Sequence, residues 1–164
     1  MDPTVAEAVK ESMWISTMNV SMLDQIAVGG SASLVNLFIH AILVGAIAAT
    51  LRNLANTDAS FPGFVQYMLV IVATGTLLLI GHFGECVVWA YTYKWVGAVP
   101  KNTDLVYFAF GNYTTLGYGD VVPVPKWHLL GPMTALNGVM LIGWSTALVY
   151  DLLHRSVRTP DPQG

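Results

Sequence analysis

Between Asp24 and Arg52 the chain carries no Asp, Glu, Lys or Arg. Within that interval SLVNLFIHAILVGAIAATL, Ser33 to Leu51, supplies the roughly twenty apolar residues that a helix needs to cross the hydrocarbon core of a bilayer. A second run starts near Phe64 and stays uncharged until Glu85, and its helical pattern continues through VVWAYTYKW. A third, Trp127 to Tyr150, is again long enough to span. Composition agrees. The 164 residues are 54% hydrophobic and 10% charged, against about 25% charged in an ordinary globular domain. The expected fold class is therefore all-α integral membrane, with three transmembrane helices. A net charge of -3 and the lack of a basic cluster argue against nucleic acid as a partner. Cys86 is the single cysteine and lies in an apolar run, so it reads as a small core residue.

The stretches between the spans differ in character. RNLANTDASFPG breaks the pattern with Asn, Asp, Pro and Gly, as a short loop does. Trp89, Tyr91, Tyr93 and Trp95 near the end of the second run read as an aromatic belt at the headgroup boundary, with Glu85 not far inside it. Residues 1–32 read as an amphipathic or disordered segment, because Val5, Val9 and Met13 fall at helical spacing opposite Glu7 and Lys10. Residues 153–164 read as a short tail. No basic start followed by an apolar core marks a cleavable leader. The first span has no repeated arginines of the kind a voltage sensor uses.

NTDLVYFAFGNYTTLGYGD, between the second and third runs, is of another kind. Leu105 to Tyr113 makes a helix of roughly 14 Å at 1.5 Å per residue, about half a bilayer. Asn102 or Thr103 can cap its start, and Asp104 suits the positive end of its dipole. Half a helix followed by glycine-rich extended backbone describes a re-entrant loop, which must be buried in protein or face water. The glycines of Gly117-Tyr118-Gly119 allow backbone angles closed to other residues, so successive carbonyls can point to one side. Thr115, Leu116, Gly117 and Tyr118 then present a ladder of oxygens, with the Thr115 hydroxyl at its base. One strand is a quarter of a cage. Four copies about an axis give rings of eight oxygens, enough to replace the water shell of a large monovalent cation, so a homotetramer is expected.

Thr115, Leu116, Gly117, Tyr118, Gly119 and Asp120 stand in the pattern Thr-x-Gly-Tyr-Gly-Asp, and here the chain resembles the pore module of the potassium-channel superfamily. It is most similar to small bacterial ion-channel proteins with one additional membrane helix before the pore. The resemblance implies an additional helix at 33–52 and a pore module at 64–152. The module would comprise an outer helix (64–96), a pore helix (103–114), a filter (115–120) and an inner helix (126–152). It implies K+ in the filter, held by Thr115, Leu116, Gly117, Tyr118 and Gly119, and no organic cofactor. Thr114, Asp120 and Tyr107 support the filter or its mouth. Three departures stand out. Leu116 replaces the usual β-branched residue, Tyr107 and Phe108 stand where two tryptophans are common, and Gly111 holds a position where some relatives keep a carboxylate.

Two features lie outside the motif. His82 and Glu85, three residues apart, are ionisable groups inside a span. They read as hydrogen-bonding glue between helices, as a proton sensor coupled to the filter, or as part of a metal or haem site with His40. Glu85 is expected to reach the back of the pore helix or filter, through backbone amides or Tyr107. On the third span Asn137 reads as a hydrogen bond to the pore helix, slightly favoured, or as cavity lining, and Gly138 and Gly143 are candidates for a gate, while close helix packing is the commoner use of such glycines.

The expected function is passive, potassium-selective conduction, and not enzyme catalysis. The alternatives are a weakly selective cation channel and, from another class, a non-conducting haem-binding membrane protein using His40 and His82. The expected location is the plasma membrane, with the N-terminus outside, the C-terminus cytoplasmic and no cytoplasmic ligand domain. The resemblance implies this orientation, because the filter of relatives opens outward. Arg52, Arg155 and Arg158 inside against Lys10, Lys94, Lys101 and Lys126 outside do not support it by charge counting.

Overall fold

The computed structural model describes residues 20–55 and 63–157, together with 4, 5 and 7. Its elements are α1 (Met22–Ala55), α2 (Gly63–Val96), α3 (Leu105–Tyr113), a 3-10 turn (Pro125–Trp127) and α4 (Leu130–Val157). No strand occurs among the described residues. Three segments, Met22–Arg52, Phe64–Val96 and Pro125–His154, are long and apolar enough to cross a membrane. The first has 31 residues, about 46 Å of helix at 1.5 Å per residue, so it exceeds a hydrocarbon core of about 30 Å and must tilt or project.

Helix α1 begins eleven residues before the Ser33 boundary read from the apolar run (33 − 22). Its start is fixed by a reciprocal cap. Ser21 Oγ accepts from the Asp24 amide at 3.1 Å, while Asp24 Oδ2 accepts from the Ser21 amide at 3.0 Å. Residues 22–32 therefore belong to the first long helix and not to a separate N-terminal segment. Of the amphipathic pattern at the N-terminus, Val5 and Glu7 are helical and exposed, and Val9, Lys10 and Met13 lie outside the described residues.

Helix α2 ends through Gly97, whose φ of 62° is left-handed. Ala98 N–H then reaches the Tyr93 carbonyl at 2.9 Å and Gly97 N–H the Lys94 carbonyl at 3.3 Å, closing the orphaned carbonyls of the last turn. The Ala98 carbonyl in turn accepts from Val124 N–H at 2.8 Å, so the segments before α3 and after its loop are tied together. The N-cap of α3 is Asp104, which accepts from Val106 N–H at 3.1 Å and Tyr107 N–H at 3.0 Å. This corrects the assignment of Asn102 or Thr103. Asn102 is instead a left-handed turn residue, with φ 69°.

The three long helices pack on one another and α3 packs on α2 and α4, and the buried positions repeat every three or four residues: Asn36 and His40 on α1; Glu85, Trp89 and Tyr93 on α2; Asn137, Leu141 and Ser145 on α4. Trp89 and Tyr93 are fully buried, whereas Tyr91 and Trp95 are 67% and 83% exposed. The aromatic belt is thus only half correct. Residues 89 and 93 continue the inward face of Glu85, one helical turn apart each time, and the other two lie on the opposite face. Outward apolar side chains such as Phe38, Ile42, Leu79 and Phe83 are bare in the subunit, as lipid-facing groups are.

Close approach between helices occurs at Gly138, where a Cβ would strike the Tyr113 carbonyl oxygen. Gly143 has nothing within 4 Å of such an atom. Gly138→Ala is expected to overpack this crossing, at a cost of roughly 1–3 kcal/mol. Thermal unfolding of the detergent-solubilised protein checks it. The melting temperature should fall for Gly138→Ala and hold for Gly75→Ala, an exposed α2 position with open space around it.

Candidate functional site

Helix α3 ends at Tyr113, and the chain then runs through Thr114 to Asp120 with every residue exposed in the subunit. Positive φ recurs at alternate positions: 61° at Thr115, 53° at Gly117 and 78° at Gly119. Alternating the sign of φ is what lets consecutive carbonyls face one side. Two of the three positions are the glycines expected to permit it. The third is a threonine, which sits in the left-handed region at an energetic cost. Backbone bonds hold the root of the segment, from Thr115 N–H to the Asn112 carbonyl at 2.9 Å and from Gly117 N–H to the Gly111 carbonyl at 3.1 Å. The Thr115 hydroxyl donates to the Thr114 carbonyl at 2.6 Å, so its lone pairs remain available.

The outer end of the segment is braced by Tyr107. Its hydroxyl donates to Asp120 Oδ2 at 3.0 Å, and its ring lies nearly parallel to that of Tyr118, 8° between planes with centroids 6.4 Å apart. The hydrogen bond to the Asp120 carboxylate pushes the Tyr107 phenol above its usual value. Gly111 places no side chain behind the segment, and a crevice lined by Gly111, Asn112 and Gly117–Val121 opens there. Leu116 is 56% exposed, without a side-chain partner to stiffen it in the subunit.

Behind α3 lies a polar cluster drawn from all four helices. Glu85 on α2 is fully buried and accepts from three groups. His40 Nδ1 stands 2.8 Å from Oε1, His82 Nδ1 stands 2.9 Å from Oε2, and the Tyr113 hydroxyl makes a short bond to Oε2. His82 Nε2 meets Ser145 Oγ on α4 at 2.9 Å, and His40 Nε2 meets the same oxygen at 3.4 Å. Glu85 therefore reaches the back of α3, as expected, but through Tyr113 and not Tyr107. Tyr113 is the last residue of α3, on the side facing α2. Tyr107, six residues earlier, faces Asp120 and Tyr118.

The pairing of His40 with His82 is also met, with rings stacked 5.4 Å apart. Ligand atoms of His40, His82 and Glu85 fall within 4.8 Å of one another. They stand within hydrogen-bond distance of each other and of Tyr113 and Ser145, so each imidazole nitrogen already faces a polar atom of the cluster. Tyr113 and Ser145 escaped the sequence reading. Ser145 carried a usable signal, since it lies eight residues after Asn137 on one helical face.

Asn137 neither lines a cavity nor bonds to α3. Its Oδ1 accepts from Trp89 Nε1 at 3.0 Å and from Asn36 Nδ2 at 3.1 Å, and Asn36 Nδ2 also donates to the Glu85 carbonyl at 3.1 Å. The amide orientations are fixed by their partners, because indole N–H only donates and a carbonyl only accepts. One amide thus joins α1, α2 and α4 beside the Glu85 cluster. Gly138, next along α4, makes the close approach to Tyr113 described above. Gly143 meets nothing within the subunit.

These features define a multi-pass helical membrane protein with a half-length helix and an exposed glycine-rich segment after it. Residues 81–155 match the family model described as "Ion channel", which supports an ion-channel pore module over the end of α2, α3, its loop and α4. No curated protein and no solved structure matches the chain.

The raised Tyr107 phenol has a defined pH consequence. Its bond to Asp120 needs the neutral phenol. The contact is therefore complete below the ordinary tyrosine value near 10 and is lost as pH climbs through the higher folded value. Alkaline ultraviolet titration of the parent against Tyr107→Phe should give a difference spectrum of one tyrosine ionising later than a free phenol. A difference spectrum at the free-phenol position would remove the contact.

Proposed function

We propose that the chain is the subunit of a homotetrameric, potassium-selective channel in the plasma membrane, conducting K+ passively. The observation that carries this reading is the alternation of positive φ at Thr115, Gly117 and Gly119, placed directly after a half-length helix. Such a backbone can turn the carbonyls of Thr115, Leu116, Gly117 and Tyr118 to one side, where they act as cation ligands with the Thr115 hydroxyl below them. A segment exposed from Thr114 to Asp120 is tolerable at membrane depth only around a water-filled path shared with other copies. Fourfold closure supplies the missing ligands.

In this reading an ion sheds water at the mouth, where Asp120 raises the local cation concentration, and moves between carbonyl rings by mutual repulsion. The C-terminal end of α3 carries the negative end of its dipole and favours a cation below the filter. The mouth faces outward, with the N-terminus outside and the C-terminus cytoplasmic. Tyr107 holds Asp120, and thereby the outer filter, in place.

Flux of K+ into liposomes reconstituted with the purified protein tests the reading. The parent should pass K+ over Na+ and be blocked by barium. Gly117 adopts a φ of 53°, which costs an L-residue roughly 1–2 kcal/mol and pulls the backbone away from the geometry the ladder needs. Gly117→Ala should abolish flux while leaving tetramers intact on native gels. Selective flux at the parental level in Gly117→Ala would overturn the filter assignment.

A further inference from the structure

The Glu85 cluster has six close contacts, the sixth from His82 Nδ1 to the Tyr113 hydroxyl at 2.9 Å, and too few protons for all of them when both imidazoles are neutral. Glu85 as a carboxylate only accepts. Oε1 therefore requires a proton on His40 Nδ1, and Oε2 is served by the Tyr113 hydroxyl and by a proton on His82 Nδ1. A neutral imidazole protonated at Nδ1 has a bare Nε2. Both bare nitrogens then face one oxygen, Ser145 Oγ, which has a single hydrogen to give. It serves His82 at 2.9 Å, and His40 Nε2 is left lone pair to lone pair at 3.4 Å. One additional proton on His40 Nε2 turns that last contact into a hydrogen bond and balances the charge of Glu85. Moving the proton through the ring to the carboxyl keeps the same count.

We propose that His40, His82, Glu85 and Ser145 form a buried binding site for one exchangeable proton, and that Tyr113 passes its occupancy to the filter. No other charged side chain faces the site among the described residues. The groups packed around it are Cys86 on α2, Tyr113 on α3 and Trp144 on α4, with the Trp144 ring 5.4 Å from that of His40. Without the extra proton the site holds a net negative charge, and the Tyr113 hydroxyl donates to a full carboxylate, a charge-assisted bond. With it, the carboxylate is shared with a cationic ring and the hold on Tyr113 weakens. Tyr113 precedes Thr114 and Thr115 directly, and Gly138 packs on its carbonyl. Loosening the Tyr113 side chain therefore acts on the last turn of α3, from which the filter hangs. The second half of the proposal rests on the channel reading, whereas the first half does not.

The test uses the full chain in lipid nanodiscs, labelled with 15N-histidine, between about pH 5 and 8, the range in which imidazole changes charge. In the parent, the signal assigned to His40 by its loss in His40→Gln should pass from the Nδ1–H neutral form to imidazolium, with one proton taken up. Ser145→Ala removes the shared acceptor and should shift that transition to lower pH by at least half a unit, with the protein still folded and tetrameric. Two neutral imidazoles across the whole range, or a His40 transition unmoved by Ser145→Ala, would overturn the site. In liposomes, parental K+ flux should fall at least threefold from pH 8 to pH 5, and His40→Gln should reduce that dependence to less than 1.5-fold. A titrating His40 with flux that ignores pH in the parent would overturn the coupling through Tyr113. Absence of flux in every variant at every pH would defeat the channel reading, and the histidine spectra would still decide the proton site.

Discussion

A carboxylate buried in an apolar helix bundle has no water to solvate it, and the arrangement of all four helices follows from meeting that need at Glu85. A lone buried charge costs several kcal/mol even after relaxation. Here each helix sends one group to the site: His40 from α1, His82 from α2 beside Glu85 itself, Tyr113 from α3, and Ser145 from α4, bridging the two imidazoles. The neighbouring amides of Asn36 and Asn137 with Trp89 repeat the theme with neutral groups. Elsewhere the packing of α1 to α4 is mainly apolar, apart from contacts such as the buried Tyr93 hydroxyl on Thr134 Oγ1, and apolar packing in lipid fixes little about relative rotation. The polar seam sets which face of each helix turns inward.

That seam also assigns a role to α1, which lies outside the residues matched to the ion-channel family. Without α1, Glu85 would lose His40, and Asn137 would lose Asn36. A buried acceptor stripped of its donor costs about 1–3 kcal/mol, more for a charged group. The additional helix is thus part of the core that supports α3 and not a peripheral anchor. Its packing reaches the loop as well, since Gln25 Oε1 accepts from Leu129 N–H at 3.0 Å, at the entrance to α4. The segment from Thr114 to Asp120, by contrast, is bound to the rest of the subunit mainly at its root and through Tyr107.

The three spans, the half-length helix and the glycine-rich segment were legible in the sequence because each is written as local periodicity or as an uncharged run of fixed length. Boundaries were less so. The start of α1 at Met22 depends on a two-residue cap and not on the apolar run. The N-cap of α3 fell to Asp104 in preference to two equally suitable neighbours, since only Asp104 had amides one turn ahead of it within reach. Trp89 and Tyr93 were misplaced because composition alone does not separate an aromatic residue at the headgroups from one on an inward face. Their spacing from Glu85 did contain the answer.

What the sequence by itself determined is the class of the protein. Helix length, charge-free runs and the Thr-x-Gly-Tyr-Gly-Asp string each act within a few residues, through backbone angles and the hydrophobic thickness of a membrane. What only the tertiary structure decided is who meets Glu85. His40 is 45 residues away, Tyr113 is 28, and Ser145 reaches His40 across 105. No periodicity encodes such pairings, because they depend on the rotation and depth of four separately formed helices. Those are settled jointly, as buried donors and acceptors compete for partners in a medium that offers none.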